Sequence, residues 1–162
     1  VTDIEEFKQL DTEKQVLALN KILNMKGTRD MIELLEQAEA SSYSEEVLGM
    51  LASAYNSVDQ EDLAIQTLDL VPEANRNAMW FYRYGYSYAL KSKKADNTHH
   101  EKKNAAVKNL EKAIELAEGS NEEDVIDYCM VIFDKVLELK PADLRCGYRL
   151  AYTYYNHYYT ED

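Results

Sequence analysis

Residues 80–90 read WFYRYGYSYAL, and the span 79–93 around them holds one glycine, no proline and no polar turn cluster. Alternating tyrosines could suggest a strand, but nothing inside the span would end one, and an Ala/Lys/Glu-rich run of helical period follows, so the stretch predicts a helix. On that helix Phe81, Tyr84, Gly85 and Tyr88 share one stripe, with the glycine at its centre. A glycine inside a helix costs ~1 kcal/mol relative to alanine. It is kept where a neighbouring backbone occupies the missing side chain's space, so the stretch also predicts a closely packed helical partner.

Ala106, Leu110 and Ala113 supply that partner downstream, at helical spacing. Upstream the same order recurs, with Leu48, Leu51, Ala52 and Tyr55 on a first helix and Ala64, Leu68 and Val71 on a second. An aromatic, small residue and tyrosine, followed after a turn by this second stripe, resembles one unit of the tetratricopeptide repeat family. The segment SEEVLGMLASAYNSVDQEDLAIQTLDLVP resembles a complete unit. Farther on, Cys129, Phe133, Val136, Leu139 and Pro141 resemble a second helix with its closing proline, and Leu150, Ala151 and Tyr154 the first helix of another unit. The resemblance spans residues 12–160. It implies an all-α fold, a right-handed superhelix of antiparallel helix pairs in a single domain 1–162, without a sheet. The implied units are 12–43, 44–76, 77–119 and an atypical capping unit 120–162.

In chain order, Thr2 with Glu5 reads as a capping pair, and Asp11 or Thr12 opens a second helix that Gly27 stops. Thr28 caps the next, whose apolar face is Met31, Leu34, Leu35 and Ala38; with Ala18, Leu19 and Ile22 before it, this pair resembles a degenerate first repeat. Ser44 starts the following helix, the short turn 57–60 forces an antiparallel return, and Pro72 ends the pair. Asn75 or Asn77 caps the aromatic helix. Residues 92–100 read as a polar insertion, 101–118 as its partner helix ended at Gly119, and 121–140 as a long helix capped by Ser120 or Asn121. Two second-type helices thus stand in succession, so 121–140 either takes a first-helix place or closes the array.

The formal charge of −12, from 30 acidic against 18 basic side chains, argues against duplex nucleic acid or an anionic membrane as partner and leaves a basic protein or peptide open. Lys91, Lys93, Lys94, Lys102 and Lys103 form one basic cluster, read as a solvated loop. No apolar run approaches the ~20 residues of a spanning helix, and VTDIEEF lacks a signal peptide's basic start and apolar stretch, so a cytoplasmic location is expected. Cys129 and Cys146 read as apolar fillers rather than a disulfide or metal framework.

Phosphate loops, nucleophile elbows, His-Glu-x-x-His and Cys-x-x-Cys pairs are absent, so neither catalysis nor a cofactor is expected. His99 and His100 are adjacent and cannot face one ligand on a regular helix. Tyrosine is the remaining feature: 13 of them against three phenylalanines and one tryptophan. A buried hydroxyl needs a partner, so many of these rings should be half-buried and available for recognition. Met79, Tyr82 and Tyr86 lie beside the packing stripe, and Tyr148, Tyr152, Tyr155 and Tyr159 form a similar set near the C-terminus. In the family this flank lines the inner, concave surface where peptides bind, which makes Met79, Tyr82, Tyr86, Tyr148 and Tyr152 the expected partner-binding residues.

Some family members also grip a partner's terminal carboxylate. Arg145 and Arg149 resemble part of that clamp, but Gly49 and Ser53 stand at the other places, so Arg83, Arg145 and Arg149 are read instead as pairing with acidic side chains. The expected function is a non-catalytic protein-interaction module; a structural homo-oligomerisation unit and a metal-dependent enzyme are the alternatives.

Overall fold

The computed structural model describes the backbone of residues 3–94 and 99–139 and the side chains of 3–94 and 101–132. The described residues form α-helices and two 3-10 turns, with no strand. Their contacts divide into two compact units, Val1–Arg76 and Asn77–Asp162.

In the first unit, α1 (Ile4–Gln9) is capped by Asp3, whose carboxylate accepts the Glu6 N–H at 2.9 Å; this replaces the Thr2 cap read from the sequence. Aspartate suits the place because its charge also faces the positive end of the helix dipole. Asp11 caps α2 (Thr12–Met25) in the same way. At its end the Gly27 N–H bonds to the Ile22 carbonyl at 2.9 Å, and Gly27 takes φ +113°. Gly27 then serves as the N-cap of α3 (Thr28–Leu35), so Thr28 is the first helical residue rather than its cap. Only glycine turns so sharply between two helices without steric cost.

The apolar face Met31, Leu34 and Leu35 is buried as expected, but α3 stops at Leu35, short of Ala38. The Leu35 carbonyl accepts the Tyr43 hydroxyl at 2.7 Å, which fastens the following segment and its 3-10 turn, Ala40–Ser42, back onto the helix end. Helix α4 (Glu45–Ser57) begins at Ser44, whose Oγ accepts the Val47 N–H. It ends with Asp59 at φ +63° and the Gln60 N–H bonded to the Tyr55 carbonyl, a closure that reverses the chain into α5 (Glu61–Asp69) within three residues. Leu48, Leu51, Ala52, Tyr55, Ala64, Leu68 and Val71 are all buried, as the repeated stripes require. Pro72 caps the second 3-10 turn, Glu73–Asn75, and ends the pair.

In the second unit, α6 (Ala78–Lys94) and α7 (His99–Ala117) leave only residues 95–98 between them. The expected insertion is thus shorter than 92–100, because both helices run into it. Lys103 is correspondingly a helical residue, 3% exposed, on the side of α7 that buries Ala106, Val107 and Leu110, and not part of a solvated loop. Helix α8 (Asp124–Leu139) starts three residues later than expected, since Ser120 Oγ accepts the Glu122 N–H and Glu123 accepts the Gly119 N–H, which holds 119–123 as a turn. It packs on both α6 and α7 through Val125, Ile126, Cys129, Met130 and Ile132. The side chains of Phe133, Val136 and Leu139 and all of Pro141, Leu150, Ala151 and Tyr154 lie outside the described residues.

Gly85 sits where α6 meets α7. A Cβ built there would stand 2.8 Å from Leu110 Cγ and 3.0 Å from the Ala106 carbonyl oxygen, so any side chain at 85 would force α7 to give way. Ala106, Leu110 and Ala113 are completely buried opposite it.

Candidate functional site

The N-terminus of α6 is fixed from two sides. Asn77 Oδ1 accepts the Trp80 N–H at 3.0 Å, and Glu122, from the turn before α8, accepts the Met79 N–H at 3.2 Å. Two of the donors that a helix start leaves unpaired are thereby satisfied, and one of the bonds ties α6 to α8's leading turn.

From that start α6 carries aromatic rings on two files. Along one, Trp80 is buried and stacks on Tyr84 at a centroid distance of 4.5 Å, and Tyr84 meets Tyr88 at 5.3 Å. Trp80 stands four residues before Tyr84 and so lies on the same side of the helix, although the stripe named from the sequence began at Phe81. Along the other file, Tyr82 and Tyr86 stand 6.1 Å apart, and Tyr82 meets Tyr128 of α8 at 5.6 Å. Met79, Tyr82 and Tyr86 are half-buried and pack against the second unit's core with Phe81 and Tyr88. Tyr148 and Tyr152 lie outside the described residues, as do Tyr155, Tyr159, Arg145, Arg149, Cys146 and the side chains of His99 and His100.

Tyr128 was missed, and so was Val131. The apolar stripe of α8 is dominated by its buried members, while Tyr128 and Val131 occupy the opposite side, 42% and 54% exposed. Adjacency of Tyr128 to Tyr82 comes from packing, which no spacing rule states. The sequence signal that would have found it is the i, i+3 pair Tyr128 and Val131 on an otherwise acidic outer face.

Electrostatically the site is a half-dry aromatic surface with an acidic edge. Burial, reinforced by the Tyr86 hydroxyl and Cys129, pushes Tyr82 up to about 12. Burial also lowers the Arg83 guanidinium from its ordinary value, opposed by its neighbours Tyr82 and Glu122. The negative charge of Asp124 and its bond from the Tyr128 hydroxyl, at 3.2 Å, hold that hydroxyl above its usual range. Cys129, buried beneath, is pushed up to about 12 by desolvation and stays a protonated thiol.

Not every tyrosine is half-buried: two are sealed in the first unit. Tyr43 and Tyr55 satisfy their hydroxyls inside the first unit, on the Leu35 carbonyl and on Glu36 Oε1 at 3.1 Å, so burial costs them no hydrogen bond. The first unit also has a shallow recess of about 480 Å³ lined by Tyr43, Glu45, Glu46, Leu48, Leu70 and Pro72, where Glu45 accepts from the Asn75 amide at 2.6 Å. On α4, at the places compared with a carboxylate clamp, Gly49 is buried and Ser53 half-buried. Among the described residues no three His, Cys, Asp or Glu side chains converge on a point that could hold a metal ion, and no helix is long and apolar enough to cross a membrane. Comparison with protein-family models, with curated proteins and with solved structures returns no match.

Proposed function

We propose that this chain is a non-catalytic protein-interaction module, built as a right-handed stack of helix pairs of the tetratricopeptide kind, that receives a peptide or partner helix on the aromatic face of α6. Two features support the architecture. The pairs α4/α5 and α6/α7 repeat one pattern of small and apolar positions, with Gly85 against Ala106 and Leu110 at the closest point. Helix α8 packs on both members of the preceding pair, the place of a next first helix.

The observation that carries the function is the file Met79, Tyr82 and Tyr86, half-buried rather than sealed and extended by the exposed ring of Tyr128. Tyrosine suits recognition because it offers a wide rigid contact at the cost of fixing two torsions, and its hydroxyl tolerates both water and a partner. Tyr148 and Tyr152 extend the proposed surface by sequence alone.

A displayed random-peptide library selected on the intact chain tests this reading. Selected peptides should lose at least about tenfold in affinity for a Tyr82→Ala, Tyr86→Ala double variant whose circular dichroism matches the parent, since aromatic anchors commonly contribute about 2 kcal/mol or more. Peptides that bind both proteins equally would remove the α6 surface from the proposal.

A further inference from the structure

Helix α8 has two apolar sides. Val125, Ile126, Cys129, Met130 and Ile132 are sealed against α6 and α7, whereas Tyr128 and Val131 point outward. Asp124 and Asp127 share that outward stripe, at spacings of three, one and three along Asp124, Asp127, Tyr128 and Val131, and both carboxylates are exposed. Isolated exposed apolar residues are ordinary on any surface. Tyr128 differs because it continues the aromatic surface of α6, at 5.6 Å from Tyr82, which stands 6.1 Å from Tyr86; Val131 follows it one turn on along α8.

Resting on the interaction reading above, we infer that this outward face of α8 is the second wall of the recognition surface and that it selects an amphipathic helix carrying lysine or arginine one turn from an apolar anchor. Charge decides the class of partner. The chain carries −12 overall, and Asp124 stands one turn before Tyr128 and Asp127 one turn before Val131, so an acidic helix is repelled twice while a basic one is matched. Geometry decides its form. Residues three or four apart on a helix lie about 5–6 Å from each other, so a partner helix alongside α8 presents its anchor and its cation at the separation of Tyr128 and Asp124. The stem of the basic side chain would lie over the Tyr128 ring and carry its charge to the carboxylates.

Two synthetic helical peptides with the same leucine face, one carrying lysines and one glutamates on its flanks, test the inference by calorimetric titration of the intact chain. The leucine–lysine peptide should bind, more weakly as salt is raised, and the leucine–glutamate peptide should not. Neutralising Asp124→Asn with Asp127→Asn should weaken binding about tenfold and flatten its salt dependence. The charge-retaining Asp124→Glu, Asp127→Glu variant should keep both, which separates lost charge from a damaged helix start. Neutralising Asp30→Asn with Glu33→Gln, exposed acids of α3, should change little. Equal binding of the two peptides would overturn the inference, and so would an α3 effect as large as the α8 effect, which would mean that net charge alone attracts the peptide. Should Tyr82→Ala with Tyr86→Ala abolish binding while the aspartate changes do not, the surface stands and the charge selection fails. If neither those changes nor Tyr128→Ala matter, the surface itself is wrong.

Discussion

An alanine at position 85 would gain helix propensity worth ~1 kcal/mol over glycine, yet its Cβ would have to displace Leu110 Cγ from 2.8 Å and the Ala106 carbonyl from 3.0 Å. The carbonyl belongs to backbone and cannot swing aside, and forcing a methyl group into a packed helix contact costs about 1–3 kcal/mol. Gly85→Ala is therefore expected to lower stability by on the order of 1 kcal/mol net in urea titration. A more stable variant would mean that α6 and α7 have room to part. Tyrosines give a second expectation at this scale. Tyr55 and Tyr82 are both raised to about 12 from an ordinary value of 10.0, chiefly by burial. Below pH 10 the hydroxyls are protonated in folded and unfolded chain alike, so their contribution is fully present. Between about pH 10 and 12 the unfolded chain releases these protons first, so it binds fewer protons and stability falls as pH rises. Chemical denaturation across this interval should show the decline, and Tyr55→Phe with Tyr82→Phe should make it shallower.

At the scale of the element, helix boundaries rest on single hydrogen bonds. Asn77 accepts from Trp80, and its replacement by alanine should cost about 1 kcal/mol, seen as a lower denaturation midpoint. Glu122→Gln keeps an oxygen that can accept the Met79 N–H and removes only the charge near Arg83. An Asn77→Ala midpoint equal to the parent's would show that the Glu122 bond suffices to hold the helix start. Boundaries of this kind were legible wherever a side chain or glycine acts locally: Asp11, Ser44, Asn77 and Gly119 stand where the spacing placed them, and the buried stripes of α4, α5 and α7 follow from period alone. They were not legible where a distant group decides. Helix α3 stops short of Ala38, whose N–H turns back to the Leu35 carbonyl at 3.4 Å beside the bond from the Tyr43 hydroxyl, and α8 is delayed because Ser120 and Glu123 hold the preceding turn. Lys103 read as solvated because charge suggests surface, although its place three residues before Ala106 puts it on the buried side. The site was half legible: α6's own stripe could be counted, whereas Tyr128 joins it only through the packing of α8.

At the scale of the whole molecule, the described residues are helical and their contacts fall into two units that meet in sequence between Arg76 and Asn77. Within the second unit, aromatic area and acidic charge converge on one face, and the account of function depends on that face being where a partner lies. Hydroxyl-radical footprinting of the chain, alone and with a library-selected peptide bound, tests this most directly. The account predicts reduced oxidation at Met79, Tyr82, Tyr86 and Tyr128 in the complex, with the exposed Leu17 and Met25 of the first unit unchanged. Protection confined to Leu17 and Met25, or to the lysines of α6 and α7, with the four aromatic-face residues oxidised as before, would contradict it.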